Sequence, residues 1–234
     1  GLQDYPALLT GLYPSPFDFQ HQLMYLIPQD GREWKKNDQG YVDYACSVIR
    51  DSILSSGGGA LVLFTSFAMM NEVYERVAGD IGKDMELLLQ NQNTSRHVLL
   101  NRFKTNEDSS LFATASFWEG TDAPGNTLRL VIIVKLPFEV PSDPICMARS
   151  SYIDQHSDRG SFMTLTVPNA VIKMKQGVGR LIRNEEDKGI VMILDGRIVK
   201  KSYRHTMFSS LPEGYYPEDT MVENIPSKIE NFLY

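Results

Sequence analysis

The stretch ALVLFTS at residues 60–66 decides the fold class. It begins as a continuous apolar run, which is typical of a strand buried on both faces. Three glycines at 57–59 precede it and end a stretch with helical spacing at 44–56. The segment 67–79 follows directly and has the amphipathic pattern of a helix that ends at Gly79. The order helix, buried strand, helix predicts a parallel sheet covered by helices.

The same alternation continues along the chain. One more helix is predicted at 94–106, with Thr94 or Ser95 as its N-cap. Strands separated by helices favour an α/β fold, a mostly parallel sheet with helices on both faces. The further strands are predicted at 85–90, 110–117, 129–136 and 189–195.

The composition narrows the class of protein. At 234 residues with 42% apolar content, the chain can build an ordinary core. Its net charge of −6 argues against a strongly basic nucleic-acid binder but allows a local basic groove. Cys46 and Cys146 are far apart, as in reduced thiols, and the four histidines show no ligand spacing. With no signal peptide and no long apolar run, we expect a cytoplasmic protein without a membrane span. The start at Gly1 suggests a fragment excised from a longer protein.

Polar loops follow several of the predicted strands. In open parallel sheets, ligands bind in the crevice beyond the carboxyl ends of the strands. The strand at 60–66 ends in Thr65 and Ser66, at the start of a helix. Such loops suit a binding site, although proline and glycine also simply punctuate loops. The other three loops carry glycine or proline together with charges: WEGTDAPGNT, PFEVPSDP and DGR.

The segment QGVGRLIR at 176–183 places two arginines behind two glycines in a pattern that otherwise looks helical. On a helix with about 100° per residue, Gln176, Arg180 and Arg183 share one stripe. Gly177 and Gly179 remove bulk, so that a ligand can approach the backbone. The opposite side is predicted to be packed and consists of Val171, Met174, Val178 and Leu181.

Two explanations remain for the paired arginines. Two guanidiniums on one stripe favour an anion between them, and phosphate matches their planar forks of donors. Alternatively, the segment is a surface helix whose arginines form ion pairs with the acids just beyond it, Glu185, Glu186 and Asp187.

A family resemblance bears on this choice. QGVGRLIR followed by DKGIVMILDGR resembles motif VI and the next strand in the DinG/XPD group of superfamily 2 helicases. LVLFTSF at 61–67 resembles motif IV, and SFWEGTDAPG at 116–125 resembles motif V in bacterial DinG-like proteins. KLPFEVPSDP at 135–144 resembles the segment after motif V, and SPFDF at 15–19 the segment that joins the two motor domains. The matches occur in the family's order.

The resemblance implies that the chain is the second RecA-like motor domain of an ATP-dependent DNA helicase, with a three-layer α/β sandwich. Residues 1–40 would then lead in from the first motor domain, and 41–234 would form the second. The partners implied are single-stranded DNA and the first RecA-like domain of the same parent.

The resemblance also implies roles for residues around ATP. Arg180 and Arg183 match arginine fingers that stabilise charge on the γ-phosphate. Gln176 would hold the γ-phosphate or the attacking water, and Gly179 lies where the nucleotide approaches the backbone. Three residues of the motif V segment would lie near the nucleotide: Gly120, Asp122 and, without a ranked role, Glu119.

Contacts to a nucleic-acid strand are expected elsewhere. Thr65 and Ser66 would bind a phosphate through hydroxyl and backbone N–H groups, although a plain N-cap explains Ser66 equally well. Arg102 and Lys135 are weaker candidates. Asp195 and Arg197 are expected to form a structural pair, and Phe117 and Trp118 to belong to the core more than to a stacking platform.

Several parts of an ATPase are missing from the sequence. No G-x-x-x-x-G-K-[ST] loop occurs, so the residues that hold Mg²⁺ and cradle the phosphates are expected on the first domain. An iron–sulfur cluster, where the group has one, also lies there, and two cysteines cannot supply its four ligands. The chain alone is therefore expected to be inactive. The alternatives are a RecA-like module that binds nucleic acid or protein without catalysis, and a helicase that acts on RNA or DNA–RNA hybrids.

Overall fold

The structure, a computed structural model, describes residues 15–83, 85–114, 117, 127–179, 181–211 and 217–234, with the backbone alone at 177 and 178. The strands are β1 (Leu23–Pro28), β2 (Ala60–Phe64), β3 (Leu87–Leu89), β4 (Ser110–Thr114), β5 (Leu130–Ile133), β6 (Gly189–Ile193) and β7 (Glu218–Thr220). The α-helices are α1 (Phe19–Gln22), α2 (Gln39–Ser55), α3 (Phe67–Ile81), α4 (Arg96–Thr105), α5 (Pro144–His156), α6 (Val167–Val178), α7 (Arg197–Lys200), α8 (Tyr203–Ser209) and α9 (Ile225–Leu233).

The strands form one seven-stranded sheet in the order β3-β4-β2-β5-β6-β1-β7. Every strand pair is parallel, with registers such as Leu63 opposite Ile133 and Leu23 opposite Gly189. The central strands are buried along their whole length, as their uninterrupted apolar runs predict. The predicted α/β fold with a parallel sheet is confirmed.

Each face of the sheet buries its own apolar cluster, because successive residues of a strand point to opposite faces. In β2, Leu63 belongs to the cluster covered by α4, α6 and α8. Its neighbour Val62 belongs to the cluster covered by α2, α3 and α9. Helices therefore lie on both faces, and the domain has three layers.

The helix after β2 begins where the sequence predicts and ends later. Ser66 is its N-cap, and its Oγ accepts a hydrogen bond from the N–H of Met69 at 3.4 Å. The predicted end at Gly79 was wrong: α3 continues to Ile81, with Gly82 as its C-cap. Gly79 is exposed and unhindered, whereas Ile81 is fully buried, so packing extends the helix.

The expected lead-in segment contributes to the sheet. Residues 23–28 form β1, which is buried throughout and lies between β6 and β7. Proline and charge dominate only the residues around this strand, which is itself the apolar run LMYLIP. The structure therefore places a strand of the second domain before residue 41, while a first motor domain upstream stays a prediction.

The glycines at 57–59 form the turn into β2. All three have positive φ, from 58° to 85°, a region that favours glycine. A Cβ on Gly58 would lie 2.2 Å from the carbonyl oxygen of Asp108. This close approach joins the end of α2 to the loop that precedes β4.

Candidate nucleic-acid and nucleotide interface

The carboxyl ends of β2, β5, β6 and β1 lie side by side at one edge of the sheet, because all four strands are parallel and adjacent in that order. Thr65 and Ser66 follow β2, Lys135 follows β5, and Asp195 follows β6. Trp34 lies in the loop after β1. The sheet order thus brings polar residues from four separate segments into one row, which we call the carboxyl-edge row.

Thr65 and Ser66 are both exposed at the start of α3. The Ser66 hydroxyl caps the helix, so the N-cap explanation of this residue is correct. An exposed hydroxyl beside a helix N-terminus can also donate to a phosphate oxygen. The phosphate-binding role of both residues stays a prediction.

Lys135 is half-buried at the end of β5, and its Nζ lies 3.4 Å from the centroid of the Trp34 ring. Burial lowers the pKa of Lys135, and the nearby charge of Arg197 lowers it further. The indole face partly compensates the buried ammonium through a cation–π contact. The ammonium of Lys135 thus lies against the indole of Trp34 at the carboxyl edge of the sheet.

Asp195 and Arg197 form the expected structural pair. Asp195 is fully buried, and it accepts hydrogen bonds from Arg197 Nε at 2.9 and 3.1 Å and from Nη2 at 2.5 Å. Burial is the largest single influence and lowers the pKa of Arg197, but the hydrogen bonds and the charge of Asp195, together with nearby tyrosines, raise it overall. Asp195 Oδ2 also accepts from the backbone N–H of Leu136 at 3.1 Å, which ties β6 to the loop after β5.

Sequence reasoning missed Trp34 and Tyr41. Tyr41, on α2, donates its hydroxyl hydrogen to the carbonyl oxygen of Val134, and burial raises its pKa well above the usual range. Trp34 lies in the predicted lead-in segment at 1–40, among charged residues. A tryptophan within a charged stretch is the sequence feature that could have indicated a functional residue. Its contact with Lys135 follows only from the fold.

Arg102 lies away from the carboxyl-edge row. It is exposed on α4 and forms an ion pair with Glu86, which directly precedes β3 and therefore lies at the amino-terminal edge of the sheet. The hydrogen bond from Arg102 lowers the pKa of Glu86. The structure does not bring Arg102 together with Thr65, Ser66 and Lys135.

The segment 176–183 is helical only in part. Helix α6 ends at Val178, Gly179 forms a turn, and Leu181 to Arg183 are not helical. The prediction that Gln176 and Arg183 share one helical stripe was therefore wrong. The packed side is confirmed for its described members: Val171, Met174 and Leu181 are buried.

A turn at 183–187 keeps the residues beyond α6 out of a helix. Asp187 Oδ2 accepts hydrogen bonds from the backbone N–H of Arg183 at 2.8 Å and of Asn184 at 3.2 Å. These N–H groups are thereby satisfied outside a helix. Gln22 Nε2 donates to the carbonyl oxygens of Asn184 and Asp187 at 2.7 and 3.0 Å, which ties the turn to the residue before β1.

The candidates in the segment 176–183 and the candidates for strand contact lie at opposite edges of the sheet. Arg183 follows Leu181, which packs beside the first residue of β6, and its turn contacts the residue before β1. It therefore lies near the amino ends of these strands, with Gly179 and Gln176 exposed just before it. Thr65, Ser66 and Lys135 lie at the carboxyl ends.

Four candidates fall outside the described residues: Arg180, Glu119, Gly120 and Asp122. Trp118 also lies outside them, whereas Phe117 is buried, as predicted for a core residue. Within the described ranges, no group of three or more His, Cys, Asp or Glu residues could hold a metal ion. Across the same part of the chain, no helix is both long and apolar enough to span a membrane.

Comparison with known proteins identifies the family. The helicase C-terminal domain family matches residues 49–214, which include the motif at 176–183. The chain belongs to the helicase C-terminal domain family. The expected second helicase domain is confirmed by this match, and relatives named DinG and YoaA support the resemblance to DinG-like proteins.

Curated relatives are longer than this helicase C-terminal domain. The ATP-dependent DNA helicase YoaA of Escherichia coli (strain K12) is 39% identical over 203 residues, which cover 86% of the chain and 31% of YoaA. The 3'-5' exonuclease DinG of Bacillus subtilis (strain 168) is 32% identical over 201 residues, 85% of the chain and 22% of that protein. The chain thus spans about a third or less of these relatives.

Solved structures confirm the RecA-like fold. An XPD helicase superposes with a TM-score of 0.63 at 18% identity, over 85% of this chain and 35% of that one. S. cerevisiae Dbp5 bound to RNA and ADP BeF3 gives a TM-score of 0.60 at 11% identity, over 92% of this chain and 46% of that one. At these identities the likeness concerns the fold.

Proposed function

We propose that this domain works within an ATP-dependent DNA helicase, where it supplies arginine fingers to the ATP site and part of the groove for single-stranded DNA. The observation that carries the proposal is the family match over residues 49–214, which includes the segments at 61–67, 116–125, 135–144 and 176–183. Relatives named ATP-dependent DNA helicases support ATP as the substrate and DNA as the partner. The first motor domain of the same parent is the other partner, and it holds Mg²⁺ and any iron–sulfur cluster.

The anchored turn at 183–187 supports the finger role of Arg183. Its backbone is held by Asp187, and the turn is held by Gln22. A finger presented from a fixed backbone needs little reorganisation when charge develops on the γ-phosphate. Arg180 is the second finger in this proposal, and Gln176 holds the γ-phosphate or the attacking water.

Other residues complete the proposed nucleotide side. Gly179 is exposed and has no side chain, so a nucleotide can approach the backbone there. Gly120, Asp122 and Glu119 keep the roles that the family resemblance implies, near the nucleotide.

The carboxyl-edge row supports the nucleic-acid side. Thr65 and Ser66 offer hydroxyl groups at a helix N-terminus, and Lys135, just after the adjacent strand β5, offers a cation. Hydroxyl, backbone N–H and ammonium groups are the usual donors to phosphate oxygens. Arg102, paired with Glu86 at the other edge, is a peripheral contact in this proposal.

The test is phosphate release from ATP, measured for the chain alone and for a protein in which a first motor domain precedes it. We expect the chain alone to match the buffer blank, and the longer protein to hydrolyse ATP faster with single-stranded DNA. Release from the chain alone that persists after Arg180→Ala would contradict the two-domain site. DNA binding without hydrolysis by the longer protein would favour a non-catalytic module, and stimulation by RNA or a hybrid in place of DNA would favour the other alternative.

A further inference from the structure

Two cationic side chains lie within cation–π distance of the Trp34 ring. Lys135 Nζ lies 3.4 Å from its centroid, and Arg197 Cζ lies 5.6 Å from it. Trp34 and Lys135 come from the loops after β1 and β5, and Arg197 begins α7 after β6, so no local sequence pattern joins them. Trp34 and Lys135 are both half-buried, which leaves part of each accessible to a ligand.

The three loops are held in place by hydrogen bonds. The N–H of Gly196 donates to the carbonyl oxygen of Arg32 at 3.0 Å, and a Cβ on Gly196 would lie 2.5 Å from the carbonyl oxygen of Gly31. On the other side of Lys135, Tyr41 binds the carbonyl of Val134. The backbone that carries Trp34 and Lys135 is therefore fixed before any ligand arrives.

The positive charges of Arg197 and Lys135 are compensated by different partners. The charge of Arg197 is matched by the buried carboxylate of Asp195. For Lys135, no carboxylate of the described residues lies within ion-pair distance of Nζ, and its close partner is the indole. An ammonium held by a cation–π contact and no carboxylate can exchange this contact for an ion pair with a bound anion.

We propose that Trp34 and Lys135 form one nucleotide-binding step for single-stranded nucleic acid, in which Lys135 binds a phosphate and the indole of Trp34 stacks on a base. The proposal rests on the proposed function of the carboxyl-edge row and extends it. The binding path runs from Thr65 and Ser66, after β2, to Lys135, after the adjacent strand β5, where the Trp34 ring centroid lies 3.4 Å from Lys135 Nζ. Adjacent strands lie about 4.8 Å apart, so this path is within reach of a short oligonucleotide.

The direct test is the fluorescence of Trp34. The sequence has two tryptophans, so Trp118→Phe leaves Trp34 as the sole emitter. We expect a thymidine oligonucleotide to change this emission, and an abasic oligonucleotide with the same number of phosphates to change it much less, because only bases stack. An unchanged emission at saturating thymidine oligonucleotide would overturn the proposal.

Variants separate the two contacts. Trp34→Ala should weaken binding of the thymidine oligonucleotide by about 10-fold or more and leave binding of the abasic strand nearly unchanged. Trp34→Phe keeps an aromatic face and should retain most of the affinity, which controls for loss of folding in the alanine variant. Lys135→Gln should weaken both strands and reduce the slope of log affinity against log salt by about 1.

Two failures can be told apart. If the unaltered chain binds neither strand at low salt, the proposed nucleic-acid function of this surface fails. The other failure would be that the unaltered chain binds the thymidine strand through Thr65 and Ser66, and that Trp34→Ala binds it equally well. In that case only the base-stacking role of Trp34 is wrong, and the indole is a structural support for Lys135.

Discussion

Arg197 holds the carboxylate of Asp195 through its Nε and Nη2 atoms, although Asp195 has no exposed surface. The same carboxylate binds the backbone N–H of Leu136. Because a buried charge without a partner is costly, this pair stabilises the junction of the loops after β5 and β6.

Removal of Arg197 should therefore be strongly destabilising. We expect Arg197→Ala to lower the free energy of unfolding by about 3–5 kcal/mol, since it leaves a buried carboxylate uncompensated. Urea titration followed by circular dichroism measures this loss. The matched control is Arg76→Ala, which breaks exposed ion pairs with Asp43 and Glu72 and should cost about 1 kcal/mol or less. Equal losses in both variants would contradict the structural role of the Asp195–Arg197 pair.

Arg183 should act in the transition state. In the longer protein, Arg183→Ala should lower kcat for DNA-stimulated ATP hydrolysis by about 10²-fold or more, with a smaller change in ATP affinity. Arg183→Lys should rescue little, because a point charge does not reproduce the planar fork. Arg159→Ala, an exposed arginine outside these motifs, is the control.

The fold should tolerate Arg183→Ala but not a charged substitution on the packed side of α6. Met174 is fully buried, so Met174→Asp should impair folding by burying a charge, whereas Arg183→Ala should remain folded. If Arg183→Ala unfolds the chain and the folded fraction of the longer protein keeps its ATPase activity, Arg183 is structural and not a finger.

Lys135 should make strand binding sensitive to alkaline pH. Burial lowers its pKa, so it loses its proton at a pH below the ordinary lysine value of about 10.4. As the pH rises through the lowered pKa, the cation that binds phosphate disappears and affinity for single-stranded DNA should fall. Lys135→Arg stays charged and should remove this component of the pH dependence. Identical pH profiles for both proteins would show that Lys135 does not contact the strand.

Gly58 should be intolerant of a side chain. Its φ is 85°, and a Cβ would lie 2.2 Å from the backbone oxygen of Asp108. We expect Gly58→Ala to lower the free energy of unfolding by about 1–3 kcal/mol or more, because strain and steric overlap add. The control is Gly79→Ala within α3, where a Cβ meets nothing within 4 Å and should stabilise the helix by about 0.5–1 kcal/mol. A thermal melt in which both variants behave alike would contradict this account.

The candidate-site residues at strand ends could be predicted from the sequence, whereas those whose partners are distant in the chain could not. Thr65, Ser66 and Lys135 follow apolar runs that are recognisable as strands, so their place at strand ends was predictable. Trp34 and Tyr41 gave no such signal, because their partners lie more than 90 residues away in the chain. The end of α6 was also misjudged, since the turn beyond it depends on Asp187 and on Gln22 from the far end of the chain.

The sequence by itself determined the identity and order of the buried strands, the helices between them and the motifs they carry, because apolar periodicity and capping involve neighbouring residues. Only the tertiary structure decided which strands are adjacent, that β1 lies between β6 and β7, and that Trp34 meets Lys135 and Arg197. These relationships depend on the pairing of distant backbone segments and on the burial of a shared core, and no local pattern encodes that pairing.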